Sequence, residues 1–179
     1  MQLKILKKQN SSADCIVCGA HSHSSLKTIF YETENDIIVA RFKSQDLHQS
    51  FPGRMHGGMV TAVLDEVIGR AVMIKDPNQW GVTGEIKVRF IKPTPLNEEL
   101  QCVGKIVKEN SRLFKGVGYL ETLQGEILAT CEATYFKLDI EKITDDPNEE
   151  YWFYEDTPLP EFMETTNLNM LDKLAEKMN

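Results

Sequence analysis

The segment from His56 to Glu66 combines residue types that could do chemistry: a glycine pair, a mostly apolar helix behind it, and a carboxylate within that helix. Unpaired backbone N–H groups at a helix N-terminus attract negative charge, so the N–H of Gly57 could hold a developing oxyanion. Asp65 lies eight residues beyond Gly57, about 12 Å along a helix axis at about 1.5 Å per residue. One chain cannot bring both groups to one atom at that separation, so the spacing indicates a site shared between two subunits.

The residues around Asp65 predict one long amphipathic helix. Over residues 58–74, the apolar positions recur at about 100° per residue on one broad face: Val60, Val63, Leu64, Val67, Ile68, Ala71 and Ile74. Asp65 lies at the edge of this face, where Ala62 and Gly69 leave room for a ligand or a second backbone. Glu66 and Arg70 are i,i+4 neighbours and are expected to pair on the surface. The alternative for Asp65 is the solvated polar rim of an ordinary helix.

Composition and charge favour a single globular domain. The chain has 179 residues, of which 41% are hydrophobic and 26% charged. Its net charge of −7 arises in residues 139–164, which hold ten acidic residues and one lysine, whereas residues 1–138 carry a charge of +2. No basic cluster indicates a nucleic-acid partner, and the start has no apolar stretch of signal-peptide length. We expect a cytoplasmic protein with reduced thiols and no membrane partner.

Hydrophobic periodicity predicts the order β-β-α-β-β-β-β, which is an α+β arrangement of one long helix against a mostly antiparallel sheet. The predicted strands are residues 26–31, 37–42, 82–90, 100–107, 113–122 and 127–138. The strand after the helix alternates, with one face formed by Val82, Gly84, Ile86, Val88 and Phe90 and the other by Thr83, Glu85, Lys87 and Arg89. This alternation predicts Thr83 and Ile86 on opposite faces.

The strand order and the motif His56-Gly57-Gly58…Asp65, preceded by Phe51-Pro52-Gly53, resemble the hotdog-fold acyl-CoA thioesterases, in the branch of the phenylacetyl-CoA and 4-hydroxybenzoyl-CoA thioesterases. The strand that leads to Pro93 is also similar to the family's strand after the helix. The resemblance covers residues 12–138. It implies a hotdog fold, in which an antiparallel β-sheet wraps one long central α-helix and dimers join their sheets edge to edge. It also implies an acyl-CoA substrate, no separate cofactor, and a homodimer or a dimer of dimers.

The resemblance assigns roles to several residues. The family's helix carboxylate falls on Asp65, as general base or nucleophile, and its oxyanion donor falls on the backbone N–H of Gly57, from the opposite subunit. A family Ser or Thr that positions water falls on Thr83. The family often has Asn or Gln in the loop before the helix; here that position is Ser50, with Gln49 beside it. We expect Gln49 to polarise the thioester.

Further residues are expected to contact the substrate. His56 is either an orienting donor or only a cap of the loop, while Ser50 and Gly58 are expected to line the substrate site. Arg112 and Lys115, with Arg54, are candidates to hold the CoA phosphates. The alternative for these basic residues is ordinary surface charge.

Two other functions stay open beside an acyl-CoA thioesterase. A hotdog enoyl-thioester hydratase or dehydratase would act on an enoyl-CoA without releasing free thiol. A non-catalytic acyl-CoA sensor or binding module would use the same pocket without turnover. An assay of free CoA release separates the three.

Cys15 and Cys18, with His21 and His23 close behind, allow two interpretations. Two thiolates and one or two imidazoles could complete a tetrahedral zinc site. However, the chain has one Cys-x-x-Cys pair, the other two cysteines lie within predicted strands, and related hotdog proteins carry such a pair without a metal. We therefore favour a tight structural turn and predict no metal ion.

Residues 139–179 have no counterpart in the resemblance, so we predict a hotdog domain over residues 1–138 followed by an acidic, aromatic-containing C-terminal extension. The aromatic residues at 151–154 are expected to pack on the body or on a neighbouring subunit. Leu171, Leu174 and Met178 predict a short final helix. We expect this extension to be structural or to mediate interactions, without a part in the chemistry.

Overall fold

The structure is a computed structural model, and it describes residues 1–145, 152–154 and 156–178. Its strands are β1 (Gln2–Lys8), β2 (Ser11–Ser12), β3 (Ile29–Thr33), β4 (Ile37–Lys43), β5 (Trp80–Phe90), β6 (Glu99–Glu109), β7 (Leu113–Thr122), β8 (Ile127–Leu138), β9 (Trp152–Phe153) and β10 (Phe162–Glu164). Its α-helices are α1 (Gly57–Gly69) and α2 (Leu168–Lys177).

Eight strands form one antiparallel sheet in the order β10-β1-β3-β4-β6-β7-β8-β5, and β2 pairs with β9. Helix α1 packs across one face of the sheet and contacts β4, β5, β6, β7 and β8. This is the hotdog arrangement, so the predicted α+β class is confirmed. The five strands β4 to β8 are also confirmed, and β7 and β8 have the predicted bounds.

Helix α1 begins at the glycine pair because His56 caps it. The Nδ1 atom of His56 accepts the N–H of Gly58 at 2.9 Å. The predicted apolar face is buried against the sheet, through Val60, Val63, Leu64, Val67 and Ile68. The predicted helix over residues 58–74 is confirmed as far as Gly69, where a 3₁₀ turn over Arg70–Ile74 continues it.

The sheet is covered on both faces, which adds a layer to the predicted arrangement. Leu171 and Leu174 of α2 pack against Val117 and Tyr119 on the face opposite α1. Successive side chains of a strand point to opposite faces, so the central strands β6 and β7 are buried on both sides. The predicted final helix is confirmed, and it covers the face that α1 leaves open.

Strand β1 was not predicted, and β3 begins three residues later than the predicted strand over residues 26–31. In β1, Leu3 and Ile5 point into the core, while the lysines between and after them face outwards. Three apolar residues in seven, of which Leu6 is exposed, are a weak signal. The strand is stabilised by pairing with β3 on one side and β10 on the other, which no local pattern shows.

A β-bulge at Gly84 reverses the predicted direction of Thr83. Thr83 lies opposite Tyr135 of β8, and the register then shifts by one residue. Because of the extra residue, Thr83 faces α1 on the same side of the sheet as Ile86, and the strict alternation predicted from the sequence is wrong here. A Cβ at position 84 would lie 2.5 Å from the ring of Phe136, so a larger residue at the bulge would require this half-exposed ring to move.

The described residues of the tail pack against the body of the molecule. Strand β10 extends the sheet beside β1, and β9 pairs with β2 near the N-terminus. The predicted aromatic cluster falls partly outside the described residues, since these do not include Tyr151. The domain boundary at residue 138 stays a prediction. Among the described residues, no helix has the length and apolar character needed to cross a membrane.

Candidate active site

A cavity of about 400 Å³ lies between the second half of α1 and the elements that cover it. Its wall includes Asp65 and Glu66 of α1, Thr83 of β5, Tyr135 of β8 and Trp152 of the tail. The loop at residues 15–18 forms the opposite side. Two adjacent carboxylates of one helix therefore reach the same space.

The Asp65 carboxylate is held by two neutral hydroxyl groups. Thr83 Oγ1 donates to Asp65 Oδ1 at 2.8 Å, and the Tyr135 hydroxyl donates to the same oxygen at 3.0 Å. The Tyr135 hydroxyl also lies 2.8 Å from the backbone oxygen of Asp65, so its single proton is shared between these two acceptors. Within the described residues, Oδ2 has no such partner, so it can accept a hydrogen bond from water. The bulge at Gly84 thus brings Thr83 to Asp65, and the predicted role of Thr83 in positioning water stays a prediction.

Tyr135 is a site residue that the sequence analysis missed. Its ring stacks on Phe114 with centroids 4.8 Å apart and an angle of 9° between the planes. Burial, followed by the negative charge of Asp65, raises the pKa of the Tyr135 hydroxyl, so it stays a protonated donor. A Cβ at Gly69 would lie 3.2 Å from this ring. The space that we expected beside Gly69 for a ligand is therefore filled by Tyr135, which the inward alternation of its strand could have identified.

The N-terminal end of α1 opens onto a different cavity, of about 570 Å³, whose wall includes Gly57, Ser50, Arg54 and Phe90. The N–H of Gly57 has no acceptor among the described residues, as an oxyanion donor requires. Within one chain, the predicted oxyanion donor and the predicted carboxylate thus line separate cavities. This agrees with the distance argument from the sequence.

Other predicted residues have structural partners in the loop before the helix. Gln49 Oε1 accepts the N–H of Gly53 at 2.9 Å, which holds the turn over residues 49–53. Gly58 gives its N–H to His56, so the capping role of His56 is observed. A direct contact of Gln49, His56 or Gly58 with substrate stays a prediction.

The predicted phosphate-binding residues lie in different places. Arg54 lies at the Gly57 cavity, and Arg112 is exposed in the turn between β6 and β7. Lys115 lies in a groove with Glu85 and Glu132, on the sheet face opposite α1. The structure does not bring Lys115 to either cavity of this chain.

Glu66 and Arg70 pair as predicted, but the pair is largely buried, so its predicted position on the surface is wrong. Arg70 Nε and one terminal guanidinium nitrogen both lie 2.8 Å from Glu66 Oε1. The guanidinium also lies over the ring of Phe30, 4.4 Å from its centroid, and only 7% of the Arg70 side chain is exposed. The pair is buried because β3 and the N-terminal loop cover this side of the helix, which helical spacing cannot indicate.

The two cysteines of the N-terminal loop adjoin this ion pair. Cys15 Sγ lies 3.3 Å from Glu66 Oε2, and Cys18 Sγ accepts a hydrogen bond from Arg70 at 3.2 Å. A hydrogen bond between the two thiols lowers the pKa of Cys15 and raises that of Cys18. Cys102, by contrast, is fully buried in the sheet, and burial raises its pKa.

Comparison with known sequences gives one family over the central part of the chain. Residues 52–131 match the sequence model of the thioesterase superfamily. The chain is 23% identical over 93 residues to acyl-coenzyme A thioesterase 13 of Mus musculus, a match that covers 51% of this chain and 66% of the mouse protein. The matched residues contain α1 and β5 to β7 but neither the cysteine loop nor the tail.

Solved structures share the fold. A thioesterase superfamily protein superposes with a TM-score of 0.63 at 25% identity, over 70% of this chain and 60% of that protein. A protein from Bacillus halodurans, whose crystal structure was determined with CoA, superposes with a TM-score of 0.52 at 28% identity, over 55% of this chain and 70% of its own.

Proposed function

We propose that this chain is an acyl-CoA thioesterase that hydrolyses an acyl-CoA to a free acid and CoA, because residues 52–131 match the sequence model of the thioesterase superfamily and a protein of that superfamily shares the fold. The observation that carries the proposal is the Asp65 carboxylate, which lines a cavity and accepts two hydroxyl hydrogen bonds on one oxygen. Neutral donors orient a carboxylate without neutralising its charge, so the free oxygen can activate a nucleophile. The names of the curated relatives support the same reaction.

In the proposed reaction, a water molecule hydrogen-bonded to Asp65 attacks the thioester carbonyl while the carboxylate takes its proton. The alternative is direct attack by the carboxylate, which forms a mixed anhydride that water then hydrolyses. In both cases the carbonyl oxygen gains negative charge, and the N–H of Gly57 from a second copy of the chain would donate to it. The carbon–sulfur bond then breaks, CoA leaves as the thiolate, and this thiolate takes up a proton.

The exposed edge of the sheet supports a site between two copies of the chain. Strand β5 lies at the end of the sheet and pairs with β8 alone among the described strands. Along and beside it, Phe90 is 53% exposed, Ile91 47% and Phe136 50%. An apolar sheet edge is a template for pairing with another strand. We propose that two β5 strands pair, which would bring Gly57 of one copy towards Asp65 of the other.

A panel of acyl-CoAs assayed for free CoA tests this function. We expect release of free CoA by the native protein, and a fall in kcat of about 100-fold or more for Asp65→Asn, because the amide cannot accept the proton. Substrate binding should survive this substitution. Glu98→Gln, which removes an exposed carboxylate, is the control. Glu66→Gln is less suitable, because it would leave Arg70 buried without its partner.

Three outcomes would contradict the proposal. Binding of acyl-CoA without any turnover would favour a sensor. Hydration of an enoyl-CoA without free thiol would favour a hydratase. Near-normal turnover by Asp65→Asn would show that another group activates the water.

A further inference from the structure

We propose that Cys15, Cys18 and Glu66 form a binding site for a thiophilic divalent cation such as Zn²⁺. The two sulfur atoms and one carboxylate oxygen lie within 4.8 Å of one another. Tetrahedral Zn²⁺, with bonds of about 2.3 Å to sulfur and about 2.1 Å to oxygen, holds its ligand atoms about 3.5 to 3.8 Å apart. A small movement of these side chains would therefore let one ion contact all three.

Two backbone N–H groups point at the sulfur atoms of Cys15 and Cys18. The N–H of Val17 lies 3.3 Å from Cys15 Sγ, and the N–H of Ser12 lies 3.4 Å from Cys18 Sγ. Such hydrogen bonds stabilise a thiolate, which is the form that binds a metal. The loop is closed by the N–H of Gly19, which donates to the backbone oxygen of Cys15 at 2.8 Å. A Cβ at Gly19 would lie 2.3 Å from that oxygen, so the turn requires glycine.

The third ligand comes from helix α1. Arg70 uses Glu66 Oε1, whereas Glu66 Oε2 points to Cys15 at 3.3 Å. One carboxylate oxygen is thus engaged by the arginine and the other is directed at the thiols. His21 and His23, the further ligands that the sequence suggested for a zinc ion, are both exposed. Glu66, which lies far along the chain, completes the cluster instead.

A divalent ion would balance the charges of the cluster. Two thiolates and the Glu66 carboxylate carry a charge of −3, and Arg70 contributes +1, so an ion of charge +2 makes the cluster neutral. Without the ion, two protons on the thiols give the same balance. Binding should therefore release two protons and hold the N-terminal loop on α1, beside Asp65 in the cavity wall.

Titration of the full-length protein with Co²⁺ and Zn²⁺ tests this site. The protein is first freed of metal with a chelator and kept reduced with a phosphine. We expect one Co²⁺ per chain with a thiolate-to-cobalt charge-transfer band, its displacement by Zn²⁺, release of about two protons per ion, and a higher melting temperature with Zn²⁺. Cys15→Ser and Cys18→Ser should abolish the band, and Glu66→Gln should weaken binding by at least about 10-fold. Cys102→Ala is the matched control and should bind as the native protein does.

Two results would overturn the proposal. The first is that the reduced native protein binds neither Co²⁺ nor Zn²⁺. This result would overturn the proposal even if Cys15 and Cys18 form a disulfide when the protein is oxidised. The second is binding that persists unchanged when both cysteines are replaced by serine. Neither readout depends on turnover, so failure of the thioesterase proposal would leave this test intact.

Discussion

The two adjacent carboxylates in the wall of the cavity have different partners. Asp65 and Glu66 are adjacent in α1, but Asp65 meets the hydroxyls of Thr83 and Tyr135, whereas Glu66 meets the buried guanidinium of Arg70. A neutral donor orients an anion and leaves its charge available. A buried cation balances the charge, and the pair becomes part of the structure.

This difference gives the two adjacent carboxylates separate roles, as the sequence predicted, although the sequence placed the pair of Glu66 and Arg70 on the surface. The hydroxyl groups around Asp65 leave its carboxylate charged, so that it can act on a ligand. The surroundings of Glu66 stabilise the fold, or hold a metal ion beside the charges of Glu66 and Arg70. A substitution beside Glu66 should therefore change mainly the stability of the fold, and one beside Asp65 mainly the activity.

The largest expected effect on stability is on the Glu66 side. Arg70→Met should lower the free energy of unfolding by about 3 kcal/mol or more, because it leaves Glu66 unpaired at a largely buried position. Urea denaturation of metal-free protein measures this. Arg89→Met, at an exposed position of β5, should cost little, as should Asp65→Asn. Equal losses for Arg70→Met and Arg89→Met would mean that the buried ion pair does not stabilise the fold.

On the Asp65 side, Tyr135→Phe should lower kcat by about 10-fold, since a hydrogen bond to a charged group contributes about 1.5 kcal/mol or more. The ring and its stacking on Phe114 are kept, so KM should change little. Tyr119→Phe removes another buried hydroxyl, which bonds to Thr165 on the other face of the sheet, and should leave kcat unchanged. If the two variants are equally active, Tyr135 has no part in positioning Asp65.

The smallest expected effect concerns the tail. Trp152 lies against Trp80 with ring centroids 4.8 Å apart, and both line the cavity. Trp152→Ala should raise KM by about five-fold with little change in kcat, because an aromatic contact between the cavity wall and a bound acyl-CoA would contribute about 1 kcal/mol. Tyr154→Ala, at a side chain that is 71% exposed, is the control. An unchanged KM for Trp152→Ala would support the expectation that the tail has no part in the substrate site.

Periodic local patterns predicted most of the fold. The apolar face of α1 and the bounds of β7 and β8 follow from spacings of 3.6 and 2 residues. A buried face requires apolar residues at these spacings, so they can be read in the sequence. Strand β1 was not predicted from the sequence, because its stability comes from pairing with strands that are distant along the chain. The alternation of β5 led to a wrong face for Thr83, because a bulge changes the phase without changing the composition.

The sequence by itself determined that a helix starts at the glycine pair, that a carboxylate lies two turns into it, and that a sheet covers its apolar face. Only the tertiary structure decided what surrounds that carboxylate. The hydroxyl of Tyr135 reaches Asp65 only through packing, at a chain separation of seventy residues, whereas the Glu66–Arg70 pair follows from a helical spacing of four residues and only its burial depends on packing. The physical reason is that secondary structure follows from local sterics and periodic burial, whereas the surroundings of a charge depend on which distant segments pack against it.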